Sequence, residues 1–413
     1  MAQAATVGLF RYVWTEGQFL DDAVKASVRQ EKIMNSFKRT LFGVAAVFTL
    51  AIFTYCLFSP VHSEAAVGPI GGPVITTVAS NLHNPRGLNF GPDGSLYVAE
   101  AAGNGTASSD CGVMGDGQTR CSANTGSVTR IDLATVNTRR VLNNLPSLIS
   151  ADGTANGGTG VHDISFQGFG NTMLTLGLGG NPTLRADYFG PAGSNYARVA
   201  RSNPSGKFRL ETDLGGFEAE NNPDGVVPDS NPYGILALPG KTIVADAGGN
   251  DLLQISAKGQ VTVLAVFNPV PRPTPGPPFV QAVPTSVALG PDGDYYVGTL
   301  TGGPFTVGLA SVYRVPAGGG DPEVAFGGFT NIIDLAFGSD GSLYVLEIAR
   351  AAIPNFGAGG RLVRIAPDGT QTNIVSGAPL FAPGGIAVGT DGALYVTNRS
   401  TSPTVGEVLK IEL

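Results

Sequence analysis

A short hairpin that returns along the chain limits the possible folds more than any other feature. Its clearest copy is Leu335-Ala336-Phe337-Gly338-Ser339-Asp340-Gly341-Ser342-Leu343-Tyr344-Val345-Leu346-Glu347. Apolar residues alternate on both sides of Gly-Ser-Asp-Gly. Asp-Gly between two such runs marks a tight turn, because glycine adopts positive φ without steric cost. The same pattern occupies 88–100, 287–297 and 386–398. Degenerate copies at 164–177, turning at Gly168-Phe169-Gly170-Asn171, and at 235–246, turning at Pro239-Gly240, bring the count to six. A unit this small cannot bury its apolar face alone, so the copies must stack. The repeat therefore predicts one closed architecture, where 413 residues would otherwise suggest two or three domains.

Each hairpin is followed by a second strand pair. Gly126-Ser127-Val128-Thr129-Arg130-Ile131-Asp132 with Arg140-Val141-Leu142 follows the first copy, and Gly360-Arg361-Leu362-Val363-Arg364-Ile365 with Thr370-Gln371-Thr372-Asn373-Ile374-Val375 the fifth. Four antiparallel strands, six times over, predict an all-β fold, a six-bladed β-propeller. The last copy ends in a third strand, Gly406-Glu407-Val408-Leu409-Lys410-Ile411-Glu412-Leu413, with no fourth. Val74-Ile75-Thr76-Thr77-Val78-Ala79-Ser80 supplies it from the other end, which closes the ring and removes exposed edges. The six prolines of 268–279 exclude a ladder strand and predict a stiff loop between blades. Segments 102–125, 178–196, 299–310 and 348–359 fall between second and third strands. They predict long loops on one face, where binding is usually built.

Upstream of the repeats the pattern changes. Residues 1–33 carry no strand alternation and read as a tail or an extension ahead of a start at Met34. Residues 34–65 hold Lys38-Arg39, an apolar run from Thr40 to Phe58, and Ser63 and Ala65 at the −3 and −1 places of a cleavage site. This is the layout of a signal peptide, and the run is also long enough for an uncleaved membrane anchor. Both readings export 66–413 as the propeller and predict a periplasmic or secreted protein, a monomer touching membrane only through that segment. Cys56 lies in the apolar run, which leaves Cys111 and Cys121 to form a disulfide in an oxidising compartment. A net charge of −7 and the lack of any basic cluster exclude a nucleic-acid-binding surface. There is no Gly-x-Ser-x-Gly elbow, no phosphate-binding Gly-x-x-x-x-Gly-Lys loop and no His-Glu-x-x-His helix. Gly177-Leu178-Gly179-Gly180 shows no following helix and is not a phosphate cradle.

Longer and less generic runs carry a family resemblance. They include Asn84-Pro85-Arg86-Gly87-Leu88, Asn222-Pro223-Asp224-Gly225, Asp229-Ser230-Asn231-Pro232-Tyr233-Gly234, Val244-Ala245-Asp246-Ala247-Gly248-Gly249-Asn250 and Tyr395-Val396-Thr397-Asn398-Arg399. From about Val74 to Leu413 the chain resembles the ScyD/ScyE family, exported propellers related to NHL-repeat proteins. The resemblance implies a late periplasmic step in biosynthesis of the pigment scytonemin, with an indolic-phenolic precursor bound or coupled. It brings no catalytic residues with it.

The repeat register predicts where a site would form. Strand starts align Arg86-Gly87, His162-Asp163, Tyr233-Gly234, Thr285-Ser286, Ile333-Asp334 and Gly384-Gly385, and strand ends align Glu100, Gly177, Asp246, Thr299, Glu347 and Asn398. Glu100, Asp163, Asp246, Asp334 and Glu347, with Asn231, Asn398 and His162, are expected to ring one channel mouth. Such an oxygen-rich ring suits Ca²⁺ or Mg²⁺, with Glu100, Asp163, Asp246 and Asp334 as the metal candidates. His162, Asp163 and Asp334 are the catalytic candidates, and Arg86, Glu100, Asn231, Tyr233, Asp246, Glu347, Asn398 and Arg399 the ligand-binding ones. Acids ending second strands also cap turns by accepting from backbone amides, so a purely structural role stands beside the functional one. Three functions remain open: the pigment-precursor protein, a metal-dependent lactonase of gluconolactonase type, and a non-catalytic binding scaffold.

Overall fold

The computed structural model describes residues 71–413 apart from 169–170, 204–205 and 274. The tail 1–33 and the segment 34–65 lie outside the described residues. Six four-stranded antiparallel sheets form a six-bladed β-propeller. The innermost strands are Pro85–Phe90, Val161–Gln167, Pro232–Leu238, Pro284–Leu289, Ile332–Phe337 and Gly385–Val388, and they define blades 1 to 6. Each innermost strand neighbours the next, and the sixth returns to the first. The ring is latched as the termini predict. Val74–Leu82 pairs antiparallel with Gly406–Glu412 and completes blade 6.

Alternation within these strands sends side chains to both sheet faces, so the core lies between blades. Six apolar clusters result, one per blade junction. Ala99, Val128, Ile164 and Leu174 fill the junction of blades 1 and 2, and Leu82, Leu88, Val98, Tyr395 and Val408 that of blades 6 and 1. The hairpin turns are built alike. Gly94 has φ of 76°, the left-handed value the turn demands, and its amide bonds back to the Gly91 carbonyl at 2.9 Å. Asp93 then accepts from the Tyr97 hydroxyl at 3.1 Å and from Arg130 of the third strand at 2.8 Å. Asp292, Tyr296 and Arg314 repeat this arrangement in blade 4, as do Asp391, Tyr395 and Lys410 in blade 6.

Four connections carry structure of their own. Segment 102–125 contains Cys111–Val113 paired with Thr119–Asp132, and Cys111 lies opposite Cys121 in that ladder, joined by a disulfide. The Pro-rich segment does connect blades 3 and 4, yet its ends pair as Val270–Pro271 with Phe279–Val280, and the Arg272 amide donates to the Pro278 carbonyl at 2.8 Å. Helical turns over 182–195 follow Gly177-Leu178-Gly179-Gly180, and Leu214–Asn221 forms an α-helix before blade 3. Asp213 caps that helix by accepting from the Gly216 amide at 2.9 Å.

Candidate functional site

The residues expected around one opening separate into two groups. The first group ends second strands and folds back as caps. Glu100 is fully buried and accepts from the His83 amide at 2.6 Å, the Ser127 hydroxyl at 3.1 Å, Thr129 and Arg140. Glu347 does the same for the Thr330 amide at 2.7 Å and for Arg361. Asp246 accepts from the Ser230 hydroxyl and from the amides of Asn231, Gly248 and Gly249, all at 2.6–3.1 Å. Asn398 takes the Phe381 amide at 2.8 Å and donates to the Pro379 carbonyl and to Glu407. Each cap ties down the segment leading into its own blade's innermost strand. Asn231 accepts from the Leu178 amide at 3.2 Å. Arg399 is exposed, bonded to Glu407 and lying over the Phe381 ring. Register alone places Glu100, Asp246, Glu347 and Asn398 at the mouth, but satisfying buried amides and arginines turns them inward.

The second group sits at the heads of the innermost strands. In blades 1 to 5 the pairing slips there, between Pro85 and Leu88, Val161 and Asp163, Pro232 and Ile235, Pro284 and Ser286, and Ile332 and Asp334. Each slip inserts one extra residue on the inner strand, a β-bulge that re-aims side chains. Strict alternation would send His162 and Asp163 to opposite faces; the bulge lets neighbouring residues serve one site.

Arg86, His162, Asp163, Tyr233 and Asp334 are the groups that meet there. His162 is buried, its ring stacked on Tyr233 with centroids 4.4 Å apart and planes tilted 31°. Its Nδ1 lies 3.2 Å from the Pro232 carbonyl, which can only accept, so Nδ1 carries the proton. Burial, with the Arg86 charge beside it, pushes the imidazole down to about 3. His162 is therefore neutral near pH 7, and its ring stacks on Tyr233. The Tyr233 hydroxyl and Arg86 Nε are both buried without a hydrogen-bond partner of good geometry, and the Arg86 guanidinium stands near enough to the Tyr233 hydroxyl to oppose part of the upward push of burial. Arg86 donates from its other end to the Gly158 carbonyl at 3.2 Å.

Asp163 and Asp334 remain partly accessible. Asp163 accepts from the Ile164 amide at 2.8 Å and, across the blade junction, from the Ile235 amide at 2.9 Å. Asp334 matches it with Leu335 and Ile386, both at 2.8 Å. Both carboxyls are raised, chiefly by burial, Asp334 to about 7, and the Asp334 charge pushes Asp163 further up. A Cβ on Gly87 would collide with the Asp163 carboxylate, so blade 1 must present a bare backbone there. The arrangement offers an aromatic wall, two donors without partners and two carboxyls raised by burial, of which Asp334 stands at about 7. With both oxygens spent on amides, Asp163 and Asp334 have only second lone pairs left for a metal or ligand. Among the described residues no three His, Cys, Asp or Glu groups close around one point as a ready metal shell. A groove of about 710 Å³ opens elsewhere, between blades 1 and 2. Arg130 and Arg140 in its wall are ion-paired to Asp93 and Glu100, and none of the expected site residues lines it.

No protein-family model matches the chain, and no curated protein does. Among solved structures it is similar to virginiamycin B lyase from Staphylococcus aureus, at 14% identity and a TM-score of 0.45 over 83% of this chain and 99% of that one. A gluconolactonase of Xanthomonas campestris shows 11% identity and a TM-score of 0.48 over 82% and 90%. The PQQ-bound aldose sugar dehydrogenase of Streptomyces coelicolor shows 12% and 0.49 over 84% and 100%. The blade count rests on the sheets of this chain and not on these likenesses.

Proposed function

We propose that the chain is an exported propeller that binds a small indolic-phenolic molecule at the heads of its innermost strands, in the late periplasmic step of scytonemin biosynthesis that its resemblance to the ScyD/ScyE family implies. The observation that supports this reading is the pairing of two buried, partnerless donors, Arg86 Nε and the Tyr233 hydroxyl, beside the His162–Tyr233 stack. A buried donor left unmade costs about 1–3 kcal/mol. A site that keeps two of them together is organised for an acceptor such as a phenolic or carbonyl oxygen. The stacked rings give that ligand's aromatic plane a wall. Asp334, poised at about 7, supplies or takes a proton at working pH.

The test is titration of the full chain with an indolic-phenolic compound, followed by absorbance. Tyr233→Phe removes one donor and no packing, so the fold should be unchanged and binding about tenfold weaker. Saturable binding equal in wild type and Tyr233→Phe, or no saturable binding at all, would sink the proposal.

A further inference from the structure

A second cluster of acids lies on the loop-bearing face, between blades 2 and 3, and takes no part in the site above. Glu218 comes from the α-helix Leu214–Asn221, Asp224 and Asp229 from the segment after it, and Asp246 and Asp251 from the second and third strands of blade 3. Asp246 and Asp251 are direct cross-strand partners, a like-charge pair that destabilises a ladder unless something neutralises it. Among the described residues no Lys or Arg lies within ion-pairing distance of any of the five. Asp224 accepts from Asn250, and Asp246 is saturated by the four donors described above.

The other three are incompletely satisfied, with the Asp229 amide serving Glu218 and the Ser230 amide serving Asp229. Asp251 is 1% exposed and neither of its carboxylate oxygens has a partner. Glu218 is 3% exposed with Oε1 free, and Asp229 Oδ1 is likewise free. All three border the Gly248–Gly249 turn. A Cβ on Gly249 would stand 3.4 Å from Asp251 Oδ1, 3.4 Å from Glu218 Oε2 and 3.6 Å from the Asp246 carboxyl carbon. A Cβ on Gly248 would stand 2.8 Å from Asp229 Oδ1. Two glycines keep this space clear of side chains.

Burial pushes Glu218 up to about 7 and Asp229 up to about 6, with the neighbouring acids adding to both. Protonation relieves the repulsion but not the missing bonds. A protonated carboxyl must donate, and neither Asp251 oxygen has a hydrogen-bond partner. A hard cation meets both needs at once, since it neutralises the charge and takes the free oxygens as ligands.

We propose that Asp251, Glu218 and Asp229 bind a divalent cation at the Gly248–Gly249 turn. Irregular carboxylates that water can supplement suit calcium, which takes six to eight oxygens in flexible geometry, better than magnesium. The bound ion clamps the segment that runs through Asn231 into Tyr233, and so it fixes one wall of the binding site from outside.

The experiment uses the full chain stripped with EDTA, calcium chloride as the probe, and both calorimetric titration and thermal melting. Wild type should bind calcium, and at a hundredfold excess over Kd its Tm should rise by about 4 °C. Asp251→Asn and Glu218→Gln should each lose that rise. In EDTA both should melt at or above wild type, because each removes one repelling charge. Asp163→Asn with Asp334→Asn should keep the calcium response, which separates this site from the one at the strand heads. The proposal is overturned if wild type takes up no calcium, if Asp251→Asn keeps the full response, or if the strand-head pair abolishes it. It also fails if Asp251→Asn and Glu218→Gln both melt well below wild type in EDTA.

Discussion

Glu347 offers the sharpest test of whether the second-strand acids are structural caps or parts of a binding surface. Its side chain is 1% exposed, it accepts from the Thr330 amide at 2.7 Å, and both nitrogens of the Arg361 fork reach it. Glu347→Ala strands an arginine whose side chain is 25% exposed and leaves a buried amide with no acceptor. Breaking a buried pair from one side costs about 3–5 kcal/mol. Glu347→Gln keeps an oxygen for Thr330 but loses the charge facing Arg361, and should cost about 1–3 kcal/mol. Blade 5 carries its own control. Asp340 pairs with Arg364 on the opposite face, where both side chains are at least a third exposed, so the ion pair itself is worth about 0–1 kcal/mol. Asp340→Ala also frees the Ser342 amide, bonded at 3.0 Å, which raises the expected loss to about 1–2 kcal/mol. Urea denaturation followed by far-UV circular dichroism ranks the three. If Glu347→Ala unfolds within 0.5 kcal/mol of wild type while ligand binding is lost, the carboxylate faces a ligand and the cap assignment fails.

Two further outcomes follow from the same structure. Asp334, raised by burial to about 7, binds its proton more tightly folded than unfolded, so it favours the folded state fully below about pH 4 and loses that contribution as pH rises to about 7. Wild type should therefore lose up to about 1.4 kcal/mol per pH unit across that window relative to Asp334→Asn; urea midpoints measured in EDTA from pH 4.5 to 8 that stay parallel would refute this. The Cys111–Cys121 disulfide closes a loop ten residues apart in sequence and should contribute about 3 kcal/mol on the chain-entropy model. Reduction with dithiothreitol should lower stability by that amount and raise protease sensitivity within 102–125, and an unchanged urea midpoint would contradict it.

The architecture was legible because it is written in local chemistry. Each Asp-Gly turn must reverse the chain, six reversals at similar spacing leave little but a propeller, and the orphan strand at Gly406–Glu412 points to its partner at Val74–Leu82. Register also carried the strand heads, since Arg86, His162, Tyr233 and Ile333 occupy equivalent second positions in their strands. The bulges were not legible. They come from how five inner strands converge, and nothing in His162-Asp163 marks the slip. The fate of an acid was hidden for a similar reason. Glu347 and Asp334 lie thirteen residues apart in one hairpin, yet the first meets Arg361 and an amide of its own blade while the second reaches Ile386 in the next. The cluster of Glu218, Asp229 and Asp251 was missed because its members come from a helix, a connection and a strand; the one available signal was acids close in sequence to Gly248-Gly249 with no basic residue among them.

Acidic side chains thus meet different environments, and the donors around them decide what they do. Where an arginine and a backbone amide converge, as at Glu347, and with two hydroxyls besides at Glu100, the carboxylate is saturated and its work is to hold an entry segment. Where two backbone amides are the only donors, as at Asp163 and Asp334, the charge is half-compensated and burial raises the carboxyl, at Asp334 to about 7. Those amides belong partly to the next blade, Ile235 for Asp163 and Ile386 for Asp334, so the strand-head acids also stitch adjacent blades together. Their substitution must therefore perturb both binding and stability. Tyr233 has no hydrogen-bonded stake in the fold through its hydroxyl, so a loss of binding in Tyr233→Phe without loss of stability speaks for the site alone.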